Sequence, residues 1–202
     1  TENYGYFILL SGSDYPLRTP GFIHQFFEKN QGKEFINMVK MPHAETGKTL
    51  FRLDVYRVQS ANSFKNNVER WVFNQFKKHY KIRDQVRNFR PVLGRLEPHA
   101  GSQWWALSAA ACKYILAFVK QRKKVVGYFV NTHVPDEMFF HTIIANSRFA
   151  KNIKPSVTFV DWSKRGKHPA TISEKHIPIF QSIARKTVSY THLTLPTTKQ
   201  VW

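Results

Sequence analysis

The chain has 202 residues, of which 31 are Lys or Arg and 13 are Asp or Glu, leaving a formal net charge of +18. With 42% hydrophobic and 15% aromatic residues it is not a disordered tail, and no apolar run approaches the roughly 20 residues that cross a bilayer as a helix. Cys112 is the sole cysteine, which excludes an internal disulfide and an all-cysteine metal site and fits a reducing, cytoplasmic compartment. The charge excess suits nucleic acid, or an anionic surface or ligand such as phospholipid or a nucleoside diphosphate. The chain opens at Thr1 and runs almost at once into a strand, so it reads as a fragment.

Residues 6–10 form a continuous apolar run closed by Ser11-Gly12-Ser13-Asp14, the pattern of a strand buried on both faces that feeds a functional loop. Thr19 and Pro20 start a helix with Ile23, Phe26 and Phe27 on its apolar face. Residues 35–39 predict a second strand, and residues 49–58 alternate around Leu50, Arg52, Asp54 and Tyr56 like a half-exposed strand. From Lys65 to Arg95 nine cations interleave with Trp71, Phe73, Phe76, Tyr80 and Phe89. That stretch predicts an amphipathic helical segment with a solvated basic face and an aromatic core face. Residues 91–101 carry two Pro and two Gly and predict a loop.

Residues 104–107 predict a short buried strand. Ser108 then caps a helix whose stripe is Cys112, Ile115, Leu116 and Val119. Residues 134–137 open a further helix presenting Phe139, Thr142, Ile143 and Asn146 on one face. Residues 157–162 predict a strand, and Ser173 caps a last helix running to about Ala184. Strands and helices alternate, so the class is α/β with a mixed or mostly parallel sheet. Residues 188–197 follow that helix without turn logic and resemble a translated transposase adapter. The native sequence is therefore expected to stop near Lys186, with 187–202 a non-native tail and 1–186 the single domain; a genuine edge strand is the alternative.

Four segments stand out for chemistry: residues 9–19 around Ser11-Gly12-Ser13-Asp14; residues 101–108 with Gln103, Trp104 and Trp105; residues 135–147 with Asp136 and Glu137; and residues 159–162 with His168-Pro169. In this order they resemble the core-2/I-branching β-1,6-N-acetylglucosaminyltransferase family, which also contains the peptide O-xylosyltransferases, from about Tyr6 to Lys186. The resemblance implies a glycosyltransferase A-type fold, an inverting mechanism, a UDP-sugar donor, a glycan acceptor and no divalent metal. It also implies that the amino-terminal part of the domain lies upstream of Thr1.

By that resemblance Glu137 is the catalytic base, and Lys186, with Arg185 beside it, contacts the donor diphosphate. The loop of Ser11, Gly12, Ser13 and Asp14 shapes the donor site, and Gln103, Trp104 and Asp136 shape the sugar pocket. Read without it, Asp136 and Glu137 are acids in a helix's first turn, where they complement the dipole. Gln103 stands where the xylosyl branch carries Asp and cannot accept a proton at neutral pH. This favours N-acetylglucosamine, whereas Phe139-Phe-His-Thr resembles the xylosyl branch. Asp14 is the single carboxylate of its loop, a poor site for a divalent cation. Glu137 and His141 lie four apart with His133 nearby, but no third ligand motif completes a zinc site. Ser13 lacks the Gly-x-Ser-x-Gly elbow of a hydrolase. The competing class is a non-enzymatic basic module using residues 65–95 on nucleic acid or membrane. No zinc-finger or aromatic-glycine RNA motif supports specific nucleic-acid reading. An anionic bilayer is the better partner for that stretch and would hold the protein at the inner membrane face.

Overall fold

The computed structural model describes residues 4–11, 14–56, 68–69, 71–72, 74–75, 85–163, 169–183 and 190–192. The chain forms two units. The first takes residues 1–37, 102–114 and 148–202; the second takes 38–101 and 115–147.

The first unit is built on a four-stranded sheet in the order β1 (Tyr6–Ile8), β6 (His99–Ser108), β3 (Glu34–Lys40), β7 (Ile153–Lys154). β1 runs antiparallel to β6, pairing Tyr6 with Ser108 and Ile8 with Ala106, while β3 and β7 are parallel. The mixed sheet and flanking helices are the α/β architecture expected. β1 is an edge strand, which corrects the reading of a doubly buried one: Phe7, Leu9 and Leu10 are exposed. The next helix, Pro20–Lys29, starts as its sequence dictates, with Thr19 Oγ1 accepting from Phe22 N–H at 3.4 Å. Its inner face sets Ile23, Phe26 and Phe27 against Tyr6, Ile8, Phe35, Ala106 and Val157. Each large side chain buried here contributes about 1.5–3 kcal/mol relative to exposure.

At the end of β6 the buried Glu34 carboxylate accepts from Ser108 N–H at 2.8 Å and from Ser108 Oγ at 2.6 Å. Ser108 Oγ in turn accepts from Ala111 N–H at 3.1 Å, opening the Ala109–Gln121 helix. Ala111 and Ile115 are its buried positions and Leu116 is 62% exposed, so the predicted stripe is rotated by one step. A second sheet orders β2 (Asp14–Pro16), β9 (Tyr190–His192) and β8 (Thr158–Phe159), the last being all that forms of the strand predicted over 157–162. β9 falls inside the stretch 187–202.

The second unit packs Met41, Leu53, Phe89, Leu93, Ala100, Val125, Phe129 and Met138 into one core. Several sequence expectations change here, and one helix was not anticipated. Residues 49–58 hold a helical turn, Phe51–Asp54, before β4 (Val55–Tyr56), because Leu50 and Leu53, three apart, both enter this core. Residues 91–101 are no loop: Arg90–Leu93 is a helical turn that buries Leu93, and β6 begins at His99. The Lys123–Val130 helix went unread because three valines and Gly127 depress helix propensity; burial of Val125 and Phe129, one turn apart, overrides that preference. Of the basic stretch, 68–69, 71–72 and 74–75 are helical with Trp71 exposed rather than in a core face, Gln85–Val86 forms β5 beside β4, and Phe89 is buried. Lys65, Lys77, Lys78 and Lys81 lie outside the described residues. No described helix is long and apolar enough to cross a membrane.

Candidate active site

In the second unit, the Lys123–Val130 helix ends in a turn that delivers residues 131–138. Val134 there has φ 52° and ψ 58°, the left-handed region. For a β-branched residue ahead of proline this conformation costs on the order of 1–3 kcal/mol, and it persists only where neighbours impose it. The strained residue launches a single 3-10 turn, Pro135–Glu137, closed by Glu137 N–H donating to Val134 O at 3.2 Å. The α-helix begins only at Phe139 and runs to Ala145, so Glu137 sits ahead of the helix rather than in its first turn. Thr142 and Ile143 fill the predicted buried face, and Asn146 caps the end by donating to Thr142 O and Glu97 O, each at 2.8 Å.

Two cations converge on one oxygen of Glu137. Lys48 Nζ donates to Oε2 at 2.5 Å and Arg52 Nη1 donates to the same atom at 2.8 Å. Lys48 also donates to the carbonyl of Gly101 at 3.3 Å, tying the first residue of the Gly-Ser-Gln-Trp segment to the same cluster. The three side chains are only 15–27% exposed, so water screens their attraction weakly. Burial works to raise the Glu137 pKa, but the bonds and charges of Lys48 and Arg52 outweigh it and hold the carboxyl below its ordinary value. Glu137 is therefore ionised at neutral pH. Among the described residues, Oε1 accepts no hydrogen bond. A carboxylate fixed by one oxygen with the other open can accept a proton from a hydroxyl placed against it.

Sequence reasoning missed Lys48 and Arg52. Their i, i+4 spacing across Leu50 was the available signal, hidden by the alternation that suggested a strand. Asp136, beside Glu137, borders an apolar hollow of about 290 Å³ with Val126, Phe139 and Phe140.

The first unit holds other predicted residues. Ser11 N–H donates to Asp14 Oδ2 at 2.5 Å and Asp14 N–H donates to Ser11 O at 3.2 Å, closing a tight turn. Leu10, Pro16 and Arg18 around it border a cavity of about 760 Å³. On β6, Gln103 and Trp105 are half-buried and Trp104 is buried. Asp161 lies in a closed network: Ser163 N–H donates to Oδ1 at 2.7 Å, and His176, itself buried, donates through Nε2 to Oδ2 at 2.9 Å. The other ring nitrogen of His176 accepts from Ser173 N–H at 3.0 Å, which sets the tautomer. The His176 bond, then those from Ser163, hold Asp161 far below the usual carboxylate range. Burial, then the nearby Glu34 charge, pushes the Cys112 thiol up to about 11, which makes it a poor nucleophile. Gly12, Ser13, His168, Arg185 and Lys186 lie outside the described residues. His141 is buried and His133 half-buried, and among the described residues no three His, Cys, Asp or Glu side chains gather as a metal site.

The model of a family described as Core-2/I-Branching enzyme matches residues 1–184. No curated protein matches the chain.

Proposed function

The chain belongs to the Core-2/I-branching enzyme family, a family of glycosyltransferases, and from that premise we propose that it is an inverting transferase with Glu137 as its base. The observation that carries this reading is the Glu137 carboxylate, ionised and, among the described residues, held through Oε2 with Oε1 open. The donor is a UDP-sugar, with N-acetylglucosamine favoured by Gln103, and the acceptor is a glycan hydroxyl. The acceptor oxygen attacks the anomeric carbon from the face opposite the leaving group, and its proton passes to Glu137. The bond from that carbon to the diphosphate oxygen breaks, UDP leaves with the electron pair, and the α-linked donor becomes a β-linked product. A positioned carboxylate contributes about 10²–10⁴-fold to such a step.

Fixed cations neutralise the leaving diphosphate without a divalent metal. Lys186 and Arg185 take that role, and the loop of Ser11, Gly12, Ser13 and Asp14 seats the donor. The cavity beside that loop, with Arg18 in its wall, supports this assignment. Gln103, Trp104 and Asp136 shape the sugar pocket. The xylosyl-like Phe139-Phe-His-Thr favours xylose as a second donor reading. The chain is taken to work in the cytoplasm at the inner membrane face, with residues 65–95 resting on anionic lipid. The charge reversals Lys77→Glu, Lys78→Glu and Lys81→Glu should then reduce binding to phosphatidylglycerol vesicles, and unchanged binding would remove that part.

The decisive test presents UDP-N-acetylglucosamine, UDP-xylose and UDP-glucose with a glycan acceptor array, with and without chelator. Transfer from one donor is expected, insensitive to chelator and reduced about 10²–10⁴-fold in Glu137→Gln. Undiminished transfer by that variant, or a salt-sensitive RNA or DNA complex with no affinity for any UDP-sugar, overturns the reading.

A further inference from the structure

Among the described basic residues of the stretch 65–95, Arg87 has its guanidinium held within the second unit by several partners at once. Its plane lies over the Tyr128 ring, 3.6 Å from Cζ to the centroid. Nη1 donates to Tyr128 O at 2.9 Å, Nη2 donates to Thr132 Oγ1, and Nε donates to Leu53 O at 3.3 Å. Its backbone N–H donates to Asp54 O at 2.7 Å, and the Tyr128 hydroxyl donates to the same Leu53 carbonyl at 2.8 Å. These bonds join two segments far apart in sequence. Leu53 follows Arg52, the residue that grips Glu137. Thr132 lies two residues before the strained Val134, and so at the root of the turn that carries Glu137.

The contacts close a ring: Arg52 to Glu137 by the ion pair, Glu137 back through Val134 to Thr132 along the chain, Thr132 to Arg87 by a hydrogen bond, and Arg87 to Leu53 and so to Arg52. We propose that Arg87 is a positioning residue that holds the 131–137 turn, with Val134 in its left-handed conformation, so that Glu137 stays on Lys48 and Arg52. The planar fork suits this role: it reaches two carbonyls and a hydroxyl at fixed angles while its face stacks on Tyr128, which a lysine cannot reproduce. Without Arg87, Val134 relaxes to negative φ, Pro135–Glu137 swings with it, and the carboxylate leaves the two cations. The functional meaning of this device rests on Glu137 being the base; the geometric claim does not.

The test uses the full chain and reads the Lys48–Glu137 pair directly. A water-soluble carbodiimide activates the Glu137 carboxyl, Lys48 Nζ displaces it to form an amide with the oxygen leaving in the urea, and mass spectrometry of the linked peptides gives the yield. In Arg87→Met the yield is expected to fall about tenfold relative to the unaltered chain, the ratio produced by ~1.4 kcal/mol of lost positioning. Asn146→Ala also removes side-chain hydrogen bonds within the same unit; it is expected to leave the yield unchanged. Val134→Gly, which accepts positive φ without strain, is expected to restore most of the yield when added to Arg87→Met. Should Arg87→Met fail to fold, Arg87→Lys, which keeps the charge and loses the fork, is expected to give the same fall and the same glycine rescue. An unchanged yield in the Arg87 variants, an equal fall in Asn146→Ala, or no rescue by Val134→Gly overturns the proposal. Full transfer by Glu137→Gln sinks the base assignment instead, and leaves the cross-linking result standing.

Discussion

Glu137 and Asp161 are carboxylates in two of the four signature segments, and both are held below the ordinary carboxylate pKa. Their surroundings differ in what they leave available. Asp161 uses both oxygens, one on Ser163 and one on His176, and His176 is itself anchored to Ser173 at the entry of the Glu174–His176 turn. Among the described residues Glu137 uses one oxygen, on two cations, and keeps the other open. A depressed pKa alone therefore does not mark a chemical group. Under the proposed mechanism it is the unspent acceptor that lets Glu137 take a proton, whereas Asp161 fastens the chain.

The contrast is broken most directly by neutralising each acid in turn. Glu137→Gln should lower transfer per folded molecule by about 10²–10⁴-fold, whereas Asp161→Asn should lower the thermal midpoint of the protein and leave transfer per folded molecule near that of the parent. Equal losses of transfer in the two variants would erase the distinction.

A smaller effect is expected from Lys48→Met. This removes one of the two cations that depress the Glu137 pKa and leaves Arg52 in place, so the pKa rises toward its ordinary value. In a pH–rate profile the acid limb should move to higher pH, by less than it would if Arg52 were removed as well. A limb that stays put, or moves down, contradicts the electrostatic account of the site.

The smallest effect is on stability against acid. The folded pKa of Glu137 lies below its unfolded value, so its contribution is complete above the ordinary carboxylate range and disappears as pH falls through the depressed value. The stability difference between the parent and Glu137→Gln, measured by urea unfolding at a series of pH values, should be largest near neutrality and shrink below about pH 4.5, the reference carboxyl value. A gap that widens on acidification reverses the sign and refutes the ion pair.

Much of the architecture was legible along the chain. The Thr19–Pro20 start, the Ile23, Phe26 and Phe27 face and the Ser108 cap are local features, set by one residue's side chain and its neighbours a turn away, and they appear as expected. The Pro135-Asp136-Glu137 and Gly101-Ser-Gln-Trp segments were legible because each is contiguous. What misled was periodicity read over short windows: 49–58 alternates like a strand but turns helical where Leu50 and Leu53 find the core. The pairings of Lys48, Arg52 and Arg87 were not legible because they reach residues 89, 85 and 45 positions away.

Local chemistry thus determined where helices begin, that the class is α/β, and which family the chain joins, since each of these depends on residues close together in the sequence. Which oxygen of Glu137 is occupied, which cations hold it, and why Val134 tolerates a left-handed backbone were decided only on folding. Charge pairing and backbone strain depend on distances through space, and those distances are fixed by the packing of segments that the linear order keeps apart.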